Sequence, residues 1–168
     1  LIAIFVPDFL FSIFYFLVSC FLIVIFIYDL KHYIIPDKII YPAIIIALIF
    51  NSQFLIFNGF PIFQSSIFSA LGAALFFGTI FLISRGKWMG LADVKLVFLM
   101  GLILGWPNIL VGLFSAFFSG AIIGIGMIIF GKKTLQSEVP FGPFLVVGTF
   151  FALFFGKEII NWYLNLII

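Results

Sequence analysis

The run FLFSIFYFLVSCFLIVIFIY, Phe9 to Tyr28, decides the fold. It contains no charge, no glycine and no proline. At 1.5 Å per residue, a run of about 20 residues crosses a hydrocarbon core of roughly 30 Å. The ten-residue alternation of a membrane β-barrel strand is missing from it. Reading outward gives further apolar spans at Ile39–Phe57 and Ser66–Ser84, a shorter one near Ala92–Leu104, then Asn108–Phe130 and Phe141 to about Gly156. Trp106-Pro107-Asn108 ends the fourth, because proline disfavours helix at the residue before it. Residues 1–8 read as the tail of an earlier helix, and Asn161–Ile168, with Trp162 and Tyr163, as an interfacial continuation.

Composition agrees with the runs. The 168 residues are 65% hydrophobic and 8% charged, against roughly 45–50% and 25% in a soluble domain. Such a chain cannot hide its apolar surface in water. The expectation is an all-α polytopic membrane protein, a bundle of about six transmembrane helices in a single domain over residues 1–168. A net charge of +2 gives no nucleic-acid footprint. One cysteine and one histidine exclude an internal disulfide, a cysteine metal site and an HExxH zinc motif. No metal is expected.

The basic residues give sidedness. Lys31, Lys38, Arg85, Lys87, Lys95, Lys132 and Lys133 fall in or beside alternate connections, whereas Asn51–Ser65 and Gly105–Pro107 carry no Lys or Arg. The positive-inside rule makes the basic face cytoplasmic. Lys157, beside Glu158, is the exception and belongs near the opposite face.

Charge near a bilayer is costly, so the few acids each need a reason. Asp29 ends the first helix and Asp93 begins the fourth, both on the basic face. A six-helix bundle can bring helices one and four side by side. Two carboxylates at one site cannot both ionise readily, so they share a proton. One can then take a proton from water while the other donates to a peptide carbonyl. The plainer reading pairs Asp29 with Lys31 as an anchor and makes Asp93 the N-cap of helix four.

The contexts of these acids favour the first reading. Asp29 with Ile35-Pro36-Asp37, Gly90-Leu91-Ala92-Asp93-Val94-Lys95, and Pro140-Phe141-Gly142-Pro143 occur in that order. Together they resemble the three motifs of bacterial type IV prepilin peptidases, leader peptidases of the GxGD membrane aspartyl protease group. The likeness runs from about Phe9 to Leu164. It implies that Asp29 and Asp93 are the catalytic aspartates, with Pro36, Asp37, Gly90, Ala92, Lys95, Pro140, Phe141, Gly142 and Pro143 as motif or supporting positions. Ala92 stands where the family has its second glycine, so the turn there should suit alanine, which resists positive φ. The family's N-terminal domain with two Cys-x-x-C pairs has no counterpart in this sequence, whose only cysteine is Cys20.

The resemblance implies an aspartic endopeptidase of the bacterial inner membrane. It would cut the short basic leader from prepilins and pseudopilins at the cytoplasmic interface, embedded in the lipid bilayer. No cofactor is expected for that chemistry. S-adenosylmethionine would enter only if an N-terminal domain methylates the product. The rival readings are a presenilin-like protease cutting within helices, a small proton- or cation-coupled transporter, and a non-catalytic scaffold.

Other residues carry plainer expectations. His32 reads as an interfacial polar residue and Cys20 as a small buried one. Gly120, Gly124 and Gly126 include a Gly-x-x-x-Gly spacing and read as a close helix seam. Asp8 and Glu158 read as exposed at the outer interface, and Lys132 and Lys133 as topology determinants.

Overall fold

A computed structural model of the chain describes residues 2–58, 60–129 and 140–167, with side chains for 9–52, 64–127, 129 and 140–166. The described residues form six α-helices and no strand: α1 (Ile2–His32), α2 (Asp37–Asn58), α3 (Phe60–Ser84), α4 (Leu91–Leu104), α5 (Asn108–Ile129) and α6 (Gly142–Ile167). Only helices can satisfy the backbone of a chain this apolar inside lipid without closing a barrel. The segments Phe9–His32, Gln64–Ser84, Asn108–Met127 and Gly142–Leu166 are each long and apolar enough to cross a membrane. The protein is therefore a multi-pass, all-α membrane protein.

The shortest helix organises the rest. Fourteen residues of α4 extend roughly 21 Å, less than a hydrocarbon core. It is buried on every side from Leu96 to Leu104 except at half-buried Phe98. A helix apolar all round belongs in the interior, and α4 packs against α2, α3, α5 and α6. On α1, the stripe Phe14, Val18, Leu22 and Ile25 turns inward at helical spacing, while Ile23, Val24 and Ile27 stay exposed, as lipid-facing positions should.

Several expectations are corrected. Residues 1–8 are no tail of a separate helix, since α1 runs without a break from Ile2. The stretch Asn51–Ser65 is no open loop, since α2 continues to Asn58 and α3 starts at Phe60. Its polar groups tolerate helix because the bundle satisfies them. Asn51 donates through Nδ2 to the carbonyls of Ala47 (2.9 Å) and Leu102 (3.0 Å). Ser65 Oγ donates to the Trp106 carbonyl and accepts from the Trp106 amide. The final helix likewise continues past Gly156 through Asn161 to Ile167. Cys20 is exposed rather than buried. His32 is exposed at the end of α1, its ring 4.6 Å from that of Tyr28. Asp8, as a side chain, and Lys132 and Lys133 lie outside the described residues.

The glycine seam also differs. Nothing lies within 4 Å of a Cβ placed on Gly124 or Gly126, and on Gly120 it would make ordinary contact with Phe144 at 3.5 Å. The close approaches are elsewhere. A Cβ on Gly101 of α4 would overlap the Ala70 backbone of α3, and one on Gly148 of α6 would overlap the Gly112 carbonyl of α5. Backbone cannot step aside as a flexible side chain can. Gly101→Ala is therefore expected to cost about 1–3 kcal/mol of stability, read as an earlier thermal unfolding midpoint in detergent. An unchanged midpoint would contradict the α3–α4 contact.

Candidate active site

Four helix ends meet at one end of the bundle: the last turn of α1 and the first turns of α2, α4 and α6. Asp29 sits in the last turn of α1, only 4% exposed. The chain then turns through Tyr33, at φ 56°, into Ile34-Ile35-Pro36, and Asp37 opens α2. Ile35 is buried. Pro36 accepts from the amides of Ile39 and Ile40, so its carbonyl supports the first turn of α2.

Gly142, the first residue of α6, comes up against Asp29. A Cβ there would overlap Asp29 Oδ2, stand 3.1 Å from its Cγ and 3.3 Å from Ile35 Cδ1. Only glycine leaves that space. Asp29 Oδ2 is buried and has no hydrogen-bond partner among the described residues. Phe141 stacks its ring 5.3 Å from Phe117 and 6.4 Å from Phe77, which anchors the approach to α6. Pro140 lies outside the helix and Pro143 in its first turn, where a missing amide hydrogen costs nothing.

Asp93 comes from the first turn of α4, at the same end of the bundle. It lies within electrostatic reach of Asp29. Its backbone occupies the third helical position rather than the N-cap, which is Gly90. From there Oδ2 accepts the Gly90 amide at 3.1 Å. Capping is thus real but uses one lone pair and leaves the other oxygen free of that duty. Gly90 has φ −78°, so it needs no left-handed conformation. Ala92 lies within the first turn of α4, a conformation fully open to alanine.

Helices α1 and α4 are not packed side by side along their lengths. They share α2 and α6 as neighbours, and the two acids lie at the ends of these helices, in the last turn of α1 and the first turn of α4.

Beside the acids, Lys95 Nζ donates to Asp37 Oδ1 at 2.6 Å and stands 4.8 Å from the centre of the Tyr41 ring. This ties α4 to the first turn of α2. Asp37 is 60% exposed and Lys95 22%, so the pair forms the rim of the site. Tyr41 is a member that sequence reasoning missed. Its position one turn beyond Asp37 is the signal that could have found it.

A cavity of about 660 Å³ lies at a distance from the acids, between α3 and α5, lined by Phe68, Gly72, Phe76 and Trp106. The acid site is thus recognised by its chemistry rather than by cavity size. Among the described residues no group of three or more His, Cys, Asp or Glu is placed to hold a metal ion.

The fold is a multi-pass helical bundle with two aspartates from separate helices at one end. The chain belongs to the type IV leader peptidase family, whose profile matches residues 16–125. It is similar to the prepilin leader peptidase/N-methyltransferase of Legionella pneumophila, 34% identical over 141 residues, which are 82% of this chain and 48% of that protein. The protein of the same name from Aeromonas salmonicida is 29% identical over 144 residues, 83% of this chain and 48% of the relative. Leader peptidase HopD of Escherichia coli is 30% identical over 144 residues, 80% of this chain and 87% of the relative. The chain thus spans about half the length of the first two relatives. No solved structure matches it.

Proposed function

We propose that the chain is an aspartic endopeptidase that removes the short basic leader from type IV prepilins and pseudopilins. Cleavage takes place at the cytoplasmic face of the bacterial inner membrane, within one membrane-embedded domain. The observation that carries this reading is the close approach of Gly142 to Asp29, with Asp93 at the same end of the bundle and within electrostatic range, so that three motifs from three helices share one region. The face is assigned by Lys31, Lys38, Arg85 and Lys87, which all lie at this end of the bundle.

The proposed chemistry needs only water and the two acids. One aspartate is ionised and the other protonated, because a close pair of carboxylates holds one proton between them. The ionised member accepts a proton from water as the water oxygen bonds to the scissile carbonyl carbon. The protonated member donates to the carbonyl oxygen. When the intermediate collapses, the carbon–nitrogen bond breaks and the newly protonated acid delivers its proton to the leaving amine. Asp29 is buried, and the Gly142 backbone amide faces its carboxyl group, so the start of α6 helps to hold that acid in place. S-adenosylmethionine takes no part in these steps and would serve only methyl transfer by an N-terminal domain.

The substrate fits the depth of the site. An apolar helix lying in the bilayer presents a cut site at the interface, where the ends of α1 and α4 hold the acids. Cleavage of a prepilin in membranes, with the product ends identified by mass spectrometry, tests the reading. A cut at the leader junction is expected. A cut within the apolar helix would point to the presenilin-like alternative, and ion flux without any peptide product would point to a transporter.

Asp37 and Lys95 act in this reading as the clamp that sets the α2 end against α4. An ion pair this exposed contributes under about 1 kcal/mol, so Asp37→Asn is expected to slow cleavage by less than about tenfold. Steady-state cleavage rates check this. A loss as complete as at Asp29 would make Asp37 the second acid instead of Asp93.

A further inference from the structure

Lys157 is the one basic residue that the sidedness of the sequence leaves unexplained. It and Glu158 lie on α6, roughly 22–24 Å along the helix from Gly142, against a core of about 30 Å. They are therefore at the far end of the bundle from the acids and still within the span. Charges at that depth are costly unless they meet polar partners. Neither has an ion pair among the described residues, where the ion pair found is Lys95–Asp37.

Both are exposed and line a half-open cavity of about 420 Å³ bordered by α1, the α4–α5 turn and α6. Tyr15, Ser19 and Asn108 supply its other polar groups. Asn108 opens α5, and the start of a helix carries partial positive charge. Its Oδ1 is an acceptor with no partner among the described residues. Gly156 leaves room for that oxygen, since a Cβ there would stand 2.9 Å from it. A shallow, almost wholly apolar groove of about 350 Å³ on the face of α6 shares Glu158 and runs past Phe151, Phe155 and Trp162. From Glu158 back to Phe151 it leads toward the membrane interior.

We propose that this paired cavity binds one ethanolamine phospholipid from the leaflet opposite the two aspartates. The phosphodiester faces Lys157, the ammonium faces Glu158, and an acyl chain lies along Phe151 and Phe155. Charges of both signs side by side match a zwitterion, whereas an anionic headgroup would meet Glu158. The ammonium of ethanolamine has N–H donors for Glu158 and for an unpartnered acceptor such as Asn108 Oδ1. A choline headgroup has none. The apolar cleft joined to the polar one selects a lipid over a soluble phosphoethanolamine.

Native mass spectrometry of the full chain in detergent, with equal amounts of phosphatidylethanolamine, phosphatidylcholine and phosphatidylglycerol, tests this. The ethanolamine lipid is expected to be retained about tenfold over either competitor, the worth of one charge-assisted hydrogen bond. Glu158→Gln should bring it down to the level of the choline lipid, and Lys157→Ala should lower retention of both. Equal retention of the three lipids by the unaltered chain would overturn the proposal, and that comparison needs no variant to fold. Selectivity unchanged in both variants would overturn it as well.

Discussion

Replacing Asp29 or Asp93 by asparagine is expected to reduce prepilin cleavage by more than about a thousandfold, the range general acid–base groups supply. Asparagine matches aspartate in shape but can neither accept the proton from water nor hold the shared one. The substitution separates chemistry from structure especially well at Asp93. Its Oδ2 caps the Gly90 amide, and an asparagine carbonyl oxygen can make the same bond. Asp93→Asn should therefore keep its unfolding midpoint while losing activity. Asp93→Ala should lose both, with about 1 kcal/mol of capping gone. If Asp93→Asn cleaved normally and only Asp93→Ala failed, Asp93 would be a helix cap and no more. The checking measurements are cleavage of a prepilin in proteoliposomes and thermal unfolding of the same preparations.

The second large effect is expected at a residue with no side chain. Gly142→Ala places a methyl group against Asp29 Oδ2. The neighbours that could yield are the carboxyl group itself and Ile35, both buried. The carboxyl group moves more readily than the packed core. A displacement of about 1 Å at a reacting group can cost about a hundredfold in rate, and a loss of that order in cleavage is expected. Stability should change far less than at Gly101, where the obstacle is backbone of another helix. A Gly142→Ala protein with full activity would place the working carboxylate away from α6.

The sequence made some of this legible for clear reasons. Long uncharged runs specify α1, α3, α5 and α6, because lipid leaves a chain no alternative to helix. The first span, with inward Phe14, Val18, Leu22 and Ile25, needed only its run of apolar residues. The Asn51–Ser65 stretch misled because polar residues there look like a loop, while Asn51 and Ser65 spend their hydrogen bonds on the partners Leu102 and Trp106. Those partners lie far along the chain, so no local pattern announces them. Glycine spacing misled in the same way. Gly120, Gly124 and Gly126 advertise a seam, whereas single glycines at 101, 112 and 148 make it. A seam depends on what faces it.

The motifs single out the two acids as candidates, but not what surrounds each of them in the fold. Nothing in the local sequence of Asp29 says that Gly142 lies against it. Nothing near Asp93 says that α4 is packed among α2, α3, α5 and α6. The Lys95–Asp37 pair was present as two supporting positions, without Tyr41 and without a bond between them. Residues far apart in sequence combine their chemistry only through the fold.

The meeting of the two acids can be measured directly by cross-linking. In a Cys20→Ser background, Asp29→Cys and Asp93→Cys are combined, membranes are treated with a short bifunctional methanethiosulfonate, and the fraction of bridged protein is read by mass spectrometry. The combination Asp37→Cys with Lys95→Cys, whose side chains touch, sets the scale. The account predicts that positions 29 and 93 bridge as efficiently as that control. Efficient bridging of 37 to 95, with none between 29 and 93, would contradict it.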